Sequence, residues 1–518
     1  MKRKKLFLVS ISFIFLAVVC GCARLPKDFE RTQSAALGPQ EVEKITEEYF
    51  SELKDHPGQN GFYLLDDNLD ALVARAAMTD FAKHTIDIQT FLFHHDEIGK
   101  LTAYFLLNAA ERGVRVRILV DDIGTKGQDF GMAAFDAHPN IEVRYFNPFA
   151  ARGATRNLGY ISDFSRVNVR MHNKTYIVDN TIAVIGGRNI GDEYFSALAE
   201  MDFADMDVLA IGPVVSDVSS SFDIFWNSAH SYPVSLFQEV KDTVAHQEKI
   251  REVLNEHMES MNNSVYGERI RTSKLFQNLL EEKISLMWAD AKVYYDPPEK
   301  VESRSKDIRL STQVKSTLEQ AEQEIIMSTP YFIPGNDGAE WLMDMKKRGV
   351  DIKVITNSLA ANNHPSVHVG YRRYRKRLLR AGIELFEFKI TADEKMRTER
   401  EIEKLCLHAK VMVIDRKKVF IGSPNLDPRS LDINTEFGML IESEELAQKL
   451  IALFDENVEL PHSYTLRFEK DKKQNRFRIV WITEENGEIV RYIHDPAKLG
   501  TRIGNAFLSL VPGLEGQL

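Results

Sequence analysis

The stretch RMHNKTYIVDNTIAVIGGRNIGDEYF, residues 170–195, has a counterpart later in the chain, CLHAKVMVIDRKKVFIGSPNLDPRSL, residues 406–431. Both contain the pattern H-x-K-x4-D, and in both a Gly-Gly or Gly-Ser pair and an asparagine follow at the same offsets. In an extended strand, a histidine and a lysine two residues apart lie on the same face. Each motif therefore predicts a strand that presents an imidazole beside a fixed positive charge.

Other blocks of the chain recur in the same order. AAERGVRVRILVDD and NIEVRYFNPF precede the first motif, and MKKRGVDIKVITNS and GIELFEFKI precede the second. Each Arg-Gly-Val turn ends a helix-like stretch and begins an aliphatic run of strand length, at 114–120 and 350–356. This alternation predicts the α/β class with a mixed or parallel sheet in each repeat. Duplication predicts pseudo-twofold symmetry, with the two motifs meeting in a pocket between the repeats.

The pattern divides the 518 residues into six segments. They are a lipoprotein signal peptide (1–21), a tether (22–59), a first repeat (60–238), a helical connector (239–295), a second repeat (296–460) and a C-terminal hairpin and tail (461–518). The hairpin is predicted from two alternating runs around Asn486-Gly487, a strong turn signal. The composition, 44% hydrophobic and 27% charged, is typical of globular proteins and excludes wholesale disorder.

The N-terminus has the order of a secretory signal, with four basic residues before an apolar run from Leu6 to Val19. Val19-Cys20-Gly21-Cys22 resembles the lipobox of bacterial lipoproteins, which makes Cys22 the expected lipidated residue. We therefore expect a bacterial membrane-anchored lipoprotein whose body faces the periplasm or the cell exterior. The alternative is an uncleaved N-terminal membrane anchor, for which the run is short because a spanning helix needs about 20 apolar residues.

Charge and cysteine content narrow the range of partners and cofactors. The formal net charge is −10, and part of the positive charge belongs to the leader, so the body is more acidic still. An acidic body without a basic domain predicts no nucleic-acid partner. Cys20 and Cys22 belong to the leader, which leaves Cys406 alone in the body and excludes an intramolecular disulfide framework or a multi-cysteine metal site.

The paired motifs resemble those of the phospholipase D superfamily, and the resemblance covers about residues 60–460. It implies two pseudo-symmetric α/β sandwich repeats with the active site between them. The implied reaction is a two-step phosphoryl transfer, in which one histidine forms a covalent phosphohistidine and the other protonates the departing alcohol. Symmetry does not distinguish the two roles. By analogy with the family, His172 is the nucleophile and His408 is the acid and base.

The resemblance also implies a set of groups that stabilise the phosphoryl oxygens in the transition state. Its members are Lys174, Lys410, Asn189, Asn425 and Ser423. Gly187 stands where Ser423 stands in the other half, so the first half lacks that hydroxyl. Because ammonium groups take the place of divalent ions, the resemblance implies neither a catalytic metal nor another cofactor.

Four carboxylates complete the expected site. Glu436 stands where the family places the acid that orients an imidazole. An ungapped comparison of DMDVLAI with EFGMLIE makes Asp205 its counterpart, expected to orient the first-half histidine, with Asp207 as the alternative. Asp179 and Asp415, which end the two motifs, are expected to be structural and to bond within their own repeats.

GGRNIGDEYF (186–195), GSPNLDPRSLDINTEF (422–437) and YFIPGNDG (331–338) are similar to bacterial cardiolipin synthases of the type that lacks N-terminal spanning helices. The implied function is phosphatidyl transfer that makes cardiolipin from phosphatidylglycerol, with phosphatidylglycerol or phosphatidylethanolamine as donor. The lipobox places the site outside the inner leaflet and keeps hydrolysis of phospholipids to phosphatidic acid open. A nuclease conflicts with the acidic charge and the lipid anchor, and a non-catalytic scaffold conflicts with two complete motifs. The oligomeric state is unknown from sequence.

Overall fold

The computed structural model describes residues 24–198, 200–302, 309–390, 404–471, 475–509 and 517. The predicted signal peptide and Cys22 lie outside these ranges. The helices are α1 Pro39–Tyr49, α2 Asn68–Phe81, α3 Glu97–Glu111, α4 Asp129–Asp136, α5 Gly159–Ser162, α6 Phe164–Val167, α7 Val214–Trp226, α8 Thr243–Asn262, α9 Val265–Arg271, α10 Lys274–Leu280, α11 Leu310–Leu318, α12 Gly335–Lys347, α13 Pro365–Arg380, α14 Glu444–Asn457 and α15 Leu499–Leu508.

The strands follow the predicted repeats. They are β1 Asn60–Leu65, β2 Thr85–Thr90, β3 Arg115–Asp121, β4 Ile141–Phe146, β5 Thr175–Val178, β6 Ile182–Gly186, β7 Asp202–Ala204, β8 Asp207–Ile211, β9 Ser231–Pro233, β10 Met287–Tyr295, β11 Glu324–Ser328, β12 Asp351–Asn357, β13 Glu384–Phe388, β14 Leu405–Leu407, β15 Val411–Ile414, β16 Lys418–Gly422, β17 Phe437–Glu442, β18 Ser463–Asp471, β19 Arg476–Glu485 and β20 Glu488–Tyr492.

The two halves contain the same mixed sheet. In the first half β2, β3 and β4 are parallel, and the sheet continues antiparallel from β2 through β5, β6 and β8 to β1. In the second half β11, β12 and β13 are parallel, and the sheet continues through β15, β16 and β17 to β10. The predicted duplicated α/β architecture is confirmed.

A single strand joins the two sheets. β10 pairs with β1 through Met287–Ala289 and with β17 through Asp290–Tyr295. The predicted helical connector, 239–295, is thus helical in α8, α9 and α10 but ends in a strand. The prediction missed this strand because its pairing partners lie in both halves, and strand formation depends on such distant partners more than on local propensity.

Part of the predicted tether lies along the first half. Arg117 donates to the Ser34 carbonyl at 3.0 Å, and Arg144 donates to the Thr32 carbonyl at 2.7 Å. The amide of Ala36 donates to Asp223 at 2.7 Å. Residues 32–36 are therefore attached to the body. The prediction of a tether did not include these contacts, because the hydrogen-bond partners are distant in sequence.

The C-terminal segment extends the second sheet. β18 pairs with β13, and β19 pairs with β18 and with β20. The turn between β19 and β20 contains Asn486 and Gly487, both with positive φ, as the predicted hairpin requires. Because β18 belongs to the second-half sheet, this segment is part of the second unit.

The two motif aspartates brace their own repeats. Asp179 accepts hydrogen bonds from the amides of residues 83, 84 and 85 at 2.7, 2.8 and 2.7 Å. Asp415 accepts from the amides of residues 322, 323 and 324 at 2.9, 2.8 and 3.0 Å. Each set of hydrogen bonds lies within one repeat, as the sequence predicted. They hold the start of β2 beside the end of β5, and the start of β11 beside the end of β15.

Apolar cores lie within each half and between them. The core between the halves contains Phe222 from α7, Leu450 from α14 and residues of both sheets, such as Ile185 and Ile421. β6 of the first half contacts β16 of the second. This packing holds the two motif strands in one body. Across the described ranges, none of the helices combines the length and apolar character needed to cross a bilayer.

Candidate active site

Two short pairings between the halves bring the motifs together. Met171 is bridged to Thr435, and the amide of His172 donates to the Thr435 carbonyl at 2.9 Å. In the matching place, β7 pairs in parallel with β14, and the amide of His408 donates to the Ala204 carbonyl at 2.8 Å. Each histidine therefore lies beside the acid-bearing segment of the opposite half.

Each imidazole is bonded to a carboxylate from the other half. The Nδ1 atom of His172 lies 2.9 Å from Oε2 of Glu436. The Nδ1 atom of His408 contacts Oδ2 of Asp205. Because each carboxylate binds Nδ1, it favours the tautomer that carries the proton there and leaves Nε2 as the ring nitrogen for a substrate.

This arrangement corrects the expected partner of Asp205. The expectation that Asp205 orients the first-half histidine is wrong, since Asp205 directly follows β7 and β7 lies against the second motif. Asp207, the predicted alternative, instead accepts a hydrogen bond from Arg75 at 2.8 Å and lies 3.2 Å from Arg188. Asp207 thus belongs to a buried ion-pair network beside the site.

Ser423 and Gly187 occupy matching places behind the two carboxylates. The Ser423 hydroxyl donates to Glu436 at 2.5 Å and accepts from the amide of Phe437 at 3.0 Å. It supports Glu436 instead of facing a phosphate as expected. In the other half, a Cβ atom on Gly187 would lie 2.2 Å from Oδ1 of Asp205. A serine there would displace Asp205, which explains why the two halves differ at this position.

The two lysines are buried beside the histidines. Nζ of Lys174 donates to the His172 carbonyl at 2.6 Å. Nζ of Lys410 lies 2.9 Å from Nδ1 and 3.2 Å from Nε2 of His408. Within the part of the chain that the structure describes, neither amine forms an ion pair with a carboxylate. Their positive charges remain available to a phosphate.

The two motif asparagines differ in how much of the amide is engaged. Asn189 donates to the Tyr194 hydroxyl at 2.6 Å and accepts from the amide of Leu92 at 3.2 Å. Oδ1 of Asn425 is buried and has no hydrogen-bond partner among residues 24–198, 200–302, 309–390, 404–471 and 475–509. A buried acceptor oxygen without a donor is costly. A ligand that presents an O–H or N–H group would satisfy it.

Burial governs protonation in the site. It lowers the pKa of His172 to about 4 and that of His408 to about 3, and the neighbouring lysines add to the shift. Burial raises the pKa of Asp205, but His408 and Lys410 outweigh it and bring the pKa to about 2. Burial also raises the pKa of Glu436, but its interaction with His172 is the main opposing effect and leaves the pKa below its ordinary value. At neutral pH the imidazoles are therefore uncharged and the acids ionised.

Burial also weakens the charge on the two amines. It lowers the pKa of Lys174 to about 7 and that of Lys410 to about 8. Both amines would gain a proton more readily when an anion is bound between them. Binding of a phosphate group between the two amines is therefore electrostatically favourable.

Aromatic side chains enclose the imidazoles. Phe91 meets His172 edge-on with ring centroids 5.0 Å apart. Phe203 stacks on His408 at 4.8 Å, and Tyr194 meets it edge-on at 5.3 Å. The histidines are only 9% and 7% exposed. The reacting nitrogens therefore lie in a place that admits little water.

Two positioning residues were missed in the sequence. Oδ2 of Asp121 accepts from the amide of Met171 at 2.7 Å. Asn357 accepts from the amide of Leu407 at 2.9 Å and donates to its carbonyl at 2.8 Å. Both partners directly precede a motif histidine. The signal was present, because Asp121 and Asn357 end the repeated blocks RILVDD and KVITNS at matching places.

Two clusters in the described ranges have ligand atoms close enough to share a metal ion, and neither includes a motif histidine. In one, Nδ1 of His94 lies 3.7 Å from Asp96 and 3.6 Å from Glu193, and these acids raise the pKa of His94 to about 10, so the imidazole is a cation beside two acids. The other contains His368, Glu387 and Asp495, and Arg375 bonds both of its carboxylates at 2.8 and 2.7 Å. A cationic side chain of the protein, His94 or Arg375, already pairs with the acids of each cluster.

Comparison with known proteins agrees with this geometry. Residues 77–226 and 314–458 match the family model described as cardiolipin synthase, phospholipase D-like domain. The chain belongs to this phospholipase D-like cardiolipin synthase family. The predicted family and the predicted enzyme class, a phospholipase D-type phosphatidyltransferase, are therefore confirmed.

Relatives of this family member match over most of its length. Cardiolipin synthase C of Escherichia coli is 43% identical over 400 residues, covering 76% of this chain and 84% of the relative. An uncharacterised protein of Helicobacter pylori is 30% identical over 504 residues, covering 94% of each chain. The crystal structure of phosphatidylserine synthase from Haemophilus influenzae, 13% identical, covers 82% of this chain and 92% of its own with a TM-score of 0.54. The last likeness shows the shared fold.

Substitution of Gly187 by alanine tests the contact behind Asp205. The new Cβ would overlap Asp205 and push it away from His408, so we expect phospholipid turnover to fall about a hundredfold or more. Gly131→Ala is the matched control, because a Cβ there has open space around it. Measurement of kcat/KM for both variants decides the matter, and normal turnover by Gly187→Ala would contradict the assigned contact.

The buried amines predict how turnover depends on pH. As pH rises past about 7 to 8, Lys174 and Lys410 lose their protons, and kcat/KM should fall. As pH falls below about 4, His172 gains a proton and can no longer attack, so kcat/KM should fall there too. A bound phosphodiester stabilises both ammonium groups, and the alkaline limb of kcat should therefore lie at higher pH. A rate that stays constant to pH 10 in vesicles of fixed composition would contradict this account.

Proposed function

We propose that this protein synthesises cardiolipin by transferring a phosphatidyl group to phosphatidylglycerol, with phosphatidylglycerol or phosphatidylethanolamine as the donor. The observation that carries the proposal is one buried site with two carboxylate-bound imidazoles and two unpaired ammonium groups. The 43% identity to Escherichia coli cardiolipin synthase C supports the choice of product.

In the first proposed step, Nε2 of His172 attacks the phosphorus of the donor lipid. A P–N bond forms and the P–O bond to the headgroup alcohol breaks, while His408 gives a proton to the departing oxygen. His408, uncharged in the empty site, takes up this proton from solvent when the donor lipid binds, because the anionic phosphate and Asp205 both raise its proton affinity. Glu436 accepts the Nδ1 hydrogen bond of His172 and stabilises its developing positive charge.

In the second proposed step, His408 takes the proton from a hydroxyl of phosphatidylglycerol. The oxygen attacks the phosphorus, the P–N bond breaks, and cardiolipin leaves with His172 restored. Lys174 and Lys410 neutralise the charge on the non-bridging oxygens, and the unpartnered Oδ1 of Asn425 can accept a hydrogen bond from a hydroxyl of the lipid. Two displacements in series retain the configuration at phosphorus.

The surroundings of the imidazoles favour an alcohol over water as the acceptor. Phe91, Tyr194 and Phe203 form an apolar wall around the two rings. A lipid hydroxyl arrives attached to a large apolar body that such a wall accommodates. Water has no such advantage. Transfer is therefore the proposed outcome, and hydrolysis to phosphatidic acid is the competing result in the assay below.

The direct test uses the purified full chain with vesicles of headgroup-labelled phosphatidylglycerol, alone and with phosphatidylethanolamine. We expect cardiolipin and free headgroup alcohol, and we expect His172→Ala and His408→Asn each to lower kcat/KM about a thousandfold. His84→Ala, at an exposed histidine, is the matched control and should keep wild-type turnover. Phosphatidic acid as the only lipid product would sink the transfer proposal, and normal turnover by either motif variant would sink the two-histidine mechanism.

We also propose that Cys22 carries a lipid anchor that holds the body on the periplasmic or outer side of a bacterial membrane. The lipobox-like Val19-Cys20-Gly21-Cys22 and the apolar run before it support the proposal. In cells grown with labelled palmitate, the wild-type chain and Cys20→Ala should carry the label and Cys22→Ala should not. Of the three chains, only Cys22→Ala should be missing in processed form from the membrane fraction. Equal labelling of Cys22→Ala would show that this residue is not the acceptor.

A further inference from the structure

An apolar cavity of about 600 Å³ lies in the second half, between the sheet and helices α11 and α12. Its floor is a row of three side chains on neighbouring strands, Met327, Met412 and Phe420, which are register partners. The helices supply its apolar walls: Leu310, Val314 and Leu318 from α11, and Trp341 and Leu342 from α12. Its volume is within the range of small-molecule binding sites, about 300–1,000 Å³.

The cavity adjoins the candidate active site by two routes. His408, Lys410 and Met412 follow one another at intervals of two residues, which places them on one face of extended chain, with about 7 Å between successive members. The loop that carries Asn425 also reaches the cavity, since Pro424 and Leu426 line it. A phosphate at Lys410 and Asn425 would therefore have this apolar space within a short distance.

A buried tyrosine occupies the matching place in the first half. The four-residue spacing from the histidine puts Tyr176 where the second half has Met412, and its register partners are Ile88 and Val184. Tyr176 is buried, and its hydroxyl lies 2.5 Å from that of Thr79 on α2. A large ring thus fills the layer between sheet and helix in the first half, whereas Met412 leaves it open.

Two helices of the connector also cover this part of the first half. The Tyr266 hydroxyl on α9 donates to the Phe195 carbonyl at 2.6 Å, and the amide of Leu275 on α10 donates to Asp70 at 2.8 Å. These contacts cover the loop after the first motif and helix α2. In the described ranges, no corresponding helices cover the cavity of the second half. The layer between sheet and helices is therefore filled at this place in the first half and open in the second.

We infer that this cavity binds one acyl chain of the phospholipid whose phosphate lies between the two histidines. The inference rests on the proposed function, because it requires a phospholipid at the site. The apolar floor and walls match a hydrocarbon chain. The cavity would select lipids by chain length and would hold the phosphorus in line with His172.

The kinetic test narrows the cavity and varies the lipid chain. Val314→Phe places a ring in the cavity, and Val253→Phe makes the same change at a 40% exposed position on the connector. With dioleoyl phosphatidylglycerol, we expect Val314→Phe to lower kcat/KM at least tenfold, mainly through KM. With dihexanoyl phosphatidylglycerol, whose chains are short, the change should stay within twofold. Val253→Phe should match the wild type with both lipids.

Equal losses of Val314→Phe with both lipids would indicate a general structural effect and overturn the inference. So would a wild-type kcat/KM of Val314→Phe with the dioleoyl lipid. If the wild-type chain released headgroup from neither lipid, the proposed function would fail, and a binding measurement would then decide the inference separately.

That measurement uses phosphatidylglycerol with a photoactivatable diazirine near the end of one acyl chain. It is mixed with the full-length His408→Asn chain, which is expected to turn the lipid over slowly, and the labelled peptides are identified by mass spectrometry. Labelling within Leu310–Leu318 or Gly335–Lys347, reduced at least fivefold by an added Val314→Phe change, supports the inference. Labelling confined to other parts of the chain overturns it.

Discussion

The crossed pairing of carboxylate and imidazole is the contact on which the candidate site depends. Glu436 of the second half binds His172 of the first, and Asp205 of the first half binds His408 of the second. All four groups are buried, and a buried carboxylate without its partner would be strongly destabilising. Neither half can therefore complete its own histidine. The backbone pairings at Thr435 and Ala204 and the shared strand β10 hold the halves in the register that the crossing requires.

Burial of the charged groups costs folding free energy, but it also sets the protonation states that the reaction needs. Taking Lys174 and Lys410 out of water brings their pKa values to about 7 and 8, and it keeps the imidazoles uncharged at neutral pH. A phosphodiester places a negative charge between the two amines, and a hydroxyl of the lipid headgroup can donate to the unpaired Oδ1 of Asn425. The substrate thus supplies interactions that the empty site lacks. Binding energy of this kind is well suited to phosphoryl transfer.

The sequence predicted the features that depend on local pattern. The duplicated sheet follows from the repeated aliphatic runs, the β19–β20 hairpin from Asn486-Gly487, and the bonding of Asp179 and Asp415 from their place at the end of each motif. The features that were missed depend on contacts between distant segments. The partner of Asp205 follows from the pairing of β7 with β14, and the strand at 287–295 exists because two separate sheets share it. The role of Ser423 likewise depends on where Glu436 lies.

The two halves differ at two pairs of matching positions beside the shared site. Gly187 leaves room for Asp205 where the other half has Ser423, and Tyr176 fills the layer that Met412 leaves open. They remain alike where each must hold an imidazole. The most direct test of the crossed pairing is the ¹⁵N resonance spectrum of the two histidine rings in the Glu436→Gln and Asp205→Asn variants. The account predicts that Glu436→Gln shifts Nδ1 of His172 and leaves His408 unchanged, and that Asp205→Asn does the reverse. A shift of His172 in Asp205→Asn without one in Glu436→Gln would show that each half orients its own histidine, contrary to the structure.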